Sequence, residues 1–169
     1  MIRKFDKEHK WLSNFAPCTI VLNGISYPSV EHAYMSAKSN DVRWYLKCTD
    51  ESIKPGTIKK LSRGILLVSN WDAIKIEVMQ ECLNQKYRQE PYRTLLIETD
   101  DVFIQEGNYW GDTFWGVDLN TNTGDNRLGK LIMEIRENLK FEEEVKTWQN
   151  TASTPICPKR ENGADAPVI

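Results

Sequence analysis

The sequence predicts an α+β fold, in which a mainly helical single domain carries one small antiparallel β-hairpin. Three observations lead to this prediction. The chain has 169 residues, close to the usual size of one domain. One segment has the alternation and the turn residues of a hairpin, whereas most other patterned segments have helical spacing. The regular succession of strands and helices that marks a doubly wound parallel sheet is absent.

The hairpin is predicted near the N-terminus. Two apolar segments, 19–22 and 25–27, flank the dipeptide Asn23-Gly24, which readily adopts the positive φ angles of a two-residue turn. Ser29 then provides a natural N-cap for a helix. Apolar residues in that helix recur at intervals of three and four, at Val30, Ala33, Tyr34 and Ala37.

The remaining elements follow from spacing and from helix breakers. We expect further helices over 41–47, 57–61, 72–87 and 126–141. Segment 94–99 fits a helix or a strand equally, and 102–104 is predicted to be a short strand. Segment 111–125 is rich in Gly, Asn, Asp and Thr, and such a long loop favours a functional role. The domain is predicted to span 1–141, followed by a polar, flexible tail over 142–169.

Composition and charge argue against several functional classes. The chain has 22 basic and 24 acidic residues, a net charge of −2 that does not favour general nucleic-acid binding. Its apolar runs are too short for a membrane span or a signal peptide, so a cytoplasmic protein with no membrane partner is expected. The cysteines show no metal-binding spacing, so reduced thiols and no metal site are predicted at Cys18, Cys48, Cys82 and Cys157.

Tryptophan is abundant for a chain of this length, with six residues. Four lie near predicted loop or helix ends, where an indole can stack on a flat heterocycle: Trp11, Trp71, Trp110 and Trp115. For Trp71, a position in the core is an equally good interpretation.

Three charged residues are candidates for chemistry. Glu31 and Lys38 lie seven residues apart, so a helix places them on one face, where they either line a pocket or remain ordinary surface charges. Asp112 lies among bulky aromatic residues and glycines, so we expect its carboxyl to be partly desolvated.

Two segments could bind an anion. The start of the last helix, around Asn126, offers free backbone N–H groups, although a simple helix cap explains it equally well. Leu131 stands where a P-loop requires a hydroxyl residue, which disfavours nucleotide triphosphate hydrolysis. Basic residues also cluster over 54–63, a pattern more typical of a solvated face than of a groove.

Several motifs occur together in a recognisable order: Trp11-Leu12-Ser13-Asn14-Phe15, Ser29-Val30-Glu31-His32, Asn70-Trp71, Gly111-Asp112, Trp115-Gly116, and Gly124-Asp125-Asn126-Arg127-Leu128-Gly129. The sequence resembles the NADAR superfamily, and within it the YbiA/RibX type of N-glycosidase. The resemblance extends from about Phe5 to Leu139. Ser39 and Ser62 depart from the usual pattern, in which an aromatic residue and a glycine are common.

The resemblance implies hydrolysis of a bond between ribose C1′ and nitrogen. The implied substrate is a small phosphorylated ribosylamino heterocycle of the riboflavin-pathway type. Two alternatives are removal of ADP-ribose from guanine in DNA, with ADP-ribosylated DNA as the partner, and non-catalytic binding of ADP-ribose or NAD. No cofactor, no metal and no obligate protein partner are expected.

The resemblance also assigns site residues. Its acids fall on Glu31 and Asp112, and a pair of carboxyl groups suits a reaction that passes through an oxocarbenium-like state. Lys38 is the third predicted catalytic residue, either as a Schiff-base nucleophile or as a phosphate ligand. The predicted substrate-binding residues are Asn14, Phe15, Arg63, Trp71, Trp115 and Asn126.

Overall fold

A computed structural model describes residues 1–152 of the chain. The strands are β1 (Pro17–Leu22), β2 (Ile25–Ser29), β3 (Gly107–Asn108) and β4 (Val117–Asp118). The α-helices are α1 (Val30–Ser36), α2 (Val42–Cys48), α3 (Pro55–Leu61), α4 (Trp71–Tyr87), α5 (Tyr92–Ile97) and α6 (Arg127–Ala152). Two 3₁₀ helices cover Lys7–Leu12 and Ser62–Gly64. The mainly helical α+β prediction is confirmed.

The hairpin forms as predicted, with β1 and β2 antiparallel. Both turn residues have positive φ angles, 51° at Asn23 and 76° at Gly24. The outer edge of β1 is covered by α4 and the residues that follow it, because the side-chain amides of Gln85 and Gln89 bond to the backbone of Val21 and Thr19. These amides satisfy backbone groups that an open edge strand would leave unpaired.

Helix α1 lies at the centre of the domain, and all seven of its residues are buried. It packs against α2, α3, α4 and the hairpin. Ser29 caps the helix by accepting the backbone N–H of His32. The His32 ring lies 2.7 Å from the Ser29 hydroxyl and 2.8 Å from the carbonyl oxygen of Ile53. Burial lowers the pKa of His32, which favours the neutral ring, and both ring nitrogens are within hydrogen-bond distance of these partners, so His32 is a structural link between α1 and residue 53.

Between α4 and α6 the structure settles one local prediction and contradicts another. Segment 94–99 falls largely within helix α5. The strand predicted over 102–104 does not form, since only Ile104 pairs, in an isolated parallel bridge to Ile2. Backbone hydrogen bonds from the N-terminal segment continue to Gly107, whose N–H donates to the carbonyl oxygen of Arg3 at 3.1 Å. The predicted loop over 111–125 contains β4, which pairs with β3 in parallel.

The prediction that the last helix ends near Phe141 is wrong, because α6 continues to Ala152. Two ion pairs hold its extension against neighbouring helices. Glu142 lies 2.6 Å from Arg88 at the end of α4, and Glu143 lies 2.6 Å from Arg93 of α5. Part of the segment predicted as tail is therefore helical, and its remainder lies outside the described residues.

No helix within residues 1–152 is both long enough and apolar enough to cross a bilayer. Among the same residues, Cys18, Cys48 and Cys82 are free thiols, and no group of three or more His, Cys, Asp or Glu side chains is placed to bind a metal ion.

Candidate active site

A cavity of about 440 Å³ opens beside α1, between segment 13–15, α3 and segment 106–115. Six of the nine predicted site residues line it: Asn14, Phe15, Glu31, Lys38, Asp112 and Trp115. A larger depression of about 680 Å³ beside α2 contains none of the nine. The smaller cavity is therefore the candidate site.

Glu31 occupies the first turn of α1 and is 3% exposed. Its backbone N–H donates to the carbonyl oxygen of Asn14, at 3.0 Å, which ties the helix to the cavity segment 13–15. Its Oε1 has no hydrogen-bond partner within the described part of the chain. Burial raises the pKa of Glu31, and the positive charges of Lys59 and Lys38 offset part of that effect. A cationic reacting group in the cavity would stabilise this carboxylate.

Lys38 follows the end of α1 and is half-buried. Its Nζ lies 5.5 Å from the ring centre of Tyr34 and 5.7 Å from that of Trp71. Burial lowers the pKa of Lys38, and the charge of Glu31 opposes this shift. The amine is therefore easier to deprotonate than that of a free lysine, a property that a nucleophilic amine requires.

Asp112 lies in the segment between β3 and β4 and is half-buried. Its Oδ1 accepts the backbone N–H groups of Phe114, at 3.1 Å, and Trp115, at 2.9 Å. The Asn108 amide bonds to both the N–H and the carbonyl oxygen of Asp112. Asp112 thus organises its own loop while it lines the cavity.

Aromatic side chains form one side of the site. The Tyr34 ring centre lies 5.1 Å from that of Trp71 and 5.7 Å from that of Trp115. Trp115 lines the cavity, but Trp71 does not; it is only 7% exposed and packs behind Tyr34. Phe15 and Trp110, which are 42% and 69% exposed, line the cavity and present accessible ring surfaces.

Arg63 and Asn126 also lie outside the cavity lining. Arg63 is exposed on the short 3₁₀ helix Ser62–Gly64. Asn126 is buried, and its side-chain amide bonds to the Ile104 carbonyl and the Glu106 N–H, both at 3.0 Å. The structure thus gives Asn126 a role in holding the backbone. Substrate contacts by Arg63, Trp71 and Asn126 stay predictions.

Four charged cavity residues were missed as site residues: Lys4, Asp6, Lys59 and Glu106. Lys4 and Lys59 line the cavity, whereas the cluster of basic residues over 54–63 predicts a solvated face for Lys59. Glu106 also lines it, and burial together with the nearby charge of Asp112 raises the pKa of Glu106 to about 7. The signal for Glu106 in the sequence was its position between the apolar segment 102–104, from which Gln105 separates it, and Gly107.

Comparison with known proteins assigns the family. Residues 2–140 match the model of the NADAR domain. The chain belongs to the NADAR family. Every residue that lines the cavity lies within the matched segment. The predicted family resemblance is therefore confirmed.

The relatives of this NADAR chain include N-glycosidases and a riboflavin biosynthesis protein. The N-glycosidase YbiA of Escherichia coli is 33% identical over 133 residues, which cover 77% of this chain and 81% of YbiA. A riboflavin biosynthesis protein of Vibrio vulnificus is 34% identical over 138 residues, or 80% of this chain; the match spans only 37% of that longer protein. An N-glycosidase of Nostoc punctiforme is 31% identical over 134 residues, which cover 76% of this chain and 84% of that enzyme.

The fold of this NADAR chain also matches a solved structure. The NMR structure of Escherichia coli YbiA has a TM-score of 0.71 with this chain at 29% sequence identity. The match covers 85% of this chain and 89% of YbiA.

Proposed function

We propose that this chain is an N-glycosidase that hydrolyses the C1′–N bond of a phosphorylated ribosylamino heterocycle. The observation that carries the proposal is the buried Glu31 carboxyl, with its unpartnered Oε1, beside Lys38 and Asp112 in the cavity of a NADAR protein. The names of its relatives, N-glycosidase and riboflavin biosynthesis protein, support the reaction and a substrate of the riboflavin-pathway type.

The charges of the cavity suit this reaction. Cleavage of the C1′–N bond leaves positive charge on the ribose ring, and the Glu31 carboxylate is placed to stabilise that charge. Asp112 uses Oδ1 for two backbone N–H groups, which leaves Oδ2 to orient the attacking water and accept its proton. Lys38 serves either as a phosphate ligand or, after ring opening, as a Schiff-base nucleophile.

The size and walls of the cavity suit a small substrate. A volume of about 440 Å³ falls within the range of roughly 300–1,000 Å³ that small-molecule sites occupy. The cationic groups of Lys4, Lys38 and Lys59 can attract a phosphate, and the rings of Phe15 and Trp110 can hold a flat heterocycle.

The experiment follows the release of base and sugar by mass spectrometry. A ribosylamino-pyrimidine phosphate is incubated with the protein, beside a DNA oligonucleotide that carries ADP-ribose on guanine. We expect the free base and ribose 5-phosphate from the first substrate, and release that is slower by about 10²-fold or more with Glu31→Gln. Preferential release of ADP-ribose from the oligonucleotide would show that ADP-ribosylated DNA, and not the ribosylamino-pyrimidine phosphate, is the preferred substrate. Inactivity on both substrates would favour a non-catalytic module that binds ADP-ribose or NAD.

A further inference from the structure

We propose that Glu106 is the proton donor to the departing nitrogen, an assignment that rests on the N-glycosidase function proposed above. Glu106 lines the same cavity as Glu31 and Asp112, but it comes from a different part of the chain. Without a proton the heterocyclic amine would leave as an anion, which is a poor leaving group, so the reaction needs an acid in addition to the carboxylate that stabilises the ribose cation.

The fold holds the backbone of Glu106 from two elements. Its N–H donates to the Asn126 side chain at 3.0 Å, and its carbonyl oxygen accepts the N–H of Val117 at 2.9 Å. The same Asn126 amide donates to the carbonyl oxygen of Ile104 at 3.0 Å. The start of α6 and strand β4 therefore position this acid, as a preorganised catalytic group requires.

Two glycines leave the space that this arrangement needs. A Cβ atom on Gly116 would lie 1.8 Å from Oε2 of Glu106, so the carboxyl rests directly against that glycine. A Cβ atom on Gly129 would lie 2.3 Å from the Ile104 carbonyl oxygen and 2.6 Å from Oδ1 of Asn126. The Trp-Gly motif thus leaves room for the Glu106 carboxyl, and the motif from Asn126 to Gly129 holds the Glu106 backbone.

The surroundings of Glu106 favour a protonated carboxyl. Its Oε2 is buried and has no hydrogen-bond partner among residues 1–152. Burial raises the pKa of Glu106 to about 7, with further contributions from the charges of Asp112 and Glu31, whereas Lys59 on α3 and a hydrogen bond with the Asn108 side chain act in the opposite direction. A large fraction of the protein therefore carries the proton at neutral pH, as a general acid must.

The step balances with the residues of the cavity. The Glu106 carboxyl transfers its proton to the amino nitrogen that joins the heterocycle to C1′ as the C1′–N bond breaks, and the bonding electron pair stays with that nitrogen. Water then bonds to C1′, and its proton passes to the Asp112 carboxylate. Proton transfer through solvent from Asp112 to Glu106 restores the starting state.

The test compares Glu106→Gln with the wild-type protein on the ribosylamino-pyrimidine phosphate. Glutamine keeps the shape of the side chain but has no carboxyl proton, so we expect kcat to fall by about 10²-fold or more. The melting temperature should not fall, because glutamine removes a buried ionisable group. The matched control is Glu51→Gln, an exposed glutamate outside the cavity, which should keep normal kcat.

The pH dependence supplies a second measurement. The wild-type kcat should decline as pH rises above about 7, since deprotonated Glu106 cannot donate. Lys86 also has a pKa lowered to about 7 by burial, so Lys86→Met is the control that should retain the declining limb. A wild-type kcat with no decline between pH 6 and 9 would contradict the proposal.

The outcomes separate this assignment from the proposed function. Cleavage by the wild-type protein with an unchanged rate in Glu106→Gln would overturn the role of Glu106 and leave the N-glycosidase function standing. If the wild-type protein releases no base from any N-riboside phosphate, both the function and the assignment are wrong.

Discussion

The Nζ atom of Lys86 donates a hydrogen bond of 2.8 Å to the carbonyl oxygen of Ser13, directly before the cavity residues Asn14 and Phe15. Lys86 is fully buried on α4, and its Nζ lies 5.1 Å and 5.0 Å from the ring centres of Tyr87 and Tyr92. An α4 side chain therefore supports the wall of the candidate active site that segment 13–15 forms.

The burial of Lys86 makes stability depend on pH. Its pKa is lowered from 10.5 to about 7, so the folded protein binds fewer protons than the unfolded chain between these pH values. The stability that Lys86 contributes is therefore highest above pH 10.5 and falls as pH decreases to about 7, with a slope approaching 1.4 kcal/mol per pH unit. Lys86→Met should remove this dependence.

Urea unfolding at pH 7, 8 and 9 measures that effect. The stability of Lys86→Met relative to the wild-type protein should decrease as pH rises, whatever its absolute value. Lys60→Met, at an exposed lysine of α3, is the control and should follow the wild-type curve. A constant difference between Lys86→Met and the wild-type protein would show that the amine stays protonated in the fold.

Glu31→Gln should reduce kcat by about 10²-fold or more, because the substitution removes the charge that stabilises a ribose cation. In the folded wild-type protein the pKa of Glu31 is raised above 4.5, the value in the unfolded chain. The carboxyl is therefore most favourable to folding below pH 4.5 and costs stability as pH rises above that value. The variant should therefore melt at or above the wild-type temperature at pH 7. Calorimetry and steady-state kinetics check both points, and normal kcat would remove Glu31 from the mechanism.

Trp71→Ala should mainly destabilise the protein. The indole is buried and packs on Tyr34, so its removal leaves a cavity that costs about 3–5 kcal/mol. Trp71→Phe should retain most of the stability and activity. A Trp71→Ala protein with a normal melting temperature but weak affinity for the product base would instead support the predicted stacking role.

Gly116→Ala should impair catalysis through Glu106. The new methyl group would occupy the position of Oε2 and would also lie 2.2 Å from the Glu106 carbonyl oxygen, so backbone as well as side chain must move. We expect a loss of kcat comparable to that of Glu106→Gln, accompanied by a lower melting temperature. At Gly64 an added Cβ meets nothing within 4 Å, so Gly64→Ala is the matched control. Equal behaviour of the two variants would contradict the proposed placement of Glu106.

Truncation separates the parts of the C-terminal segment. Removal of residues 147–169 should leave the melting temperature and the activity nearly unchanged, because the ion pairs of Glu142 and Glu143 remain. Removal of 141–169 should lower stability by about 1 kcal/mol, since each exposed pair contributes only ~0.2–1 kcal/mol. Thermal melting of both truncated proteins measures the difference. A large loss for the shorter deletion would show that residues beyond 146 contribute to packing.

Local signals in the sequence were sufficient for the hairpin and for most helices. The turn at Asn23-Gly24 and the Ser29 cap depend on backbone angles and on hydrogen bonds between residues close in sequence. The motifs likewise predicted Glu31 and Asp112 as site residues, because each motif is a short continuous segment, and both residues line the cavity. Residues 14, 31, 38 and 112 line one cavity, as expected of a site assembled from these motifs.

Contacts between distant segments decided the rest. The extension of α6 forms ion pairs with Arg88 and Arg93. These arginines belong to other segments of the chain, so no pattern within residues 142–152 predicts the contacts. The burial of Trp71 depends on its packing against Tyr34 of α1. By itself, the sequence determined which segments form helices and a hairpin, and which short motifs carry acids. Only the tertiary structure brought Glu106 into the cavity and raised its pKa, because desolvation and the field of neighbouring charges arise when separate segments pack together.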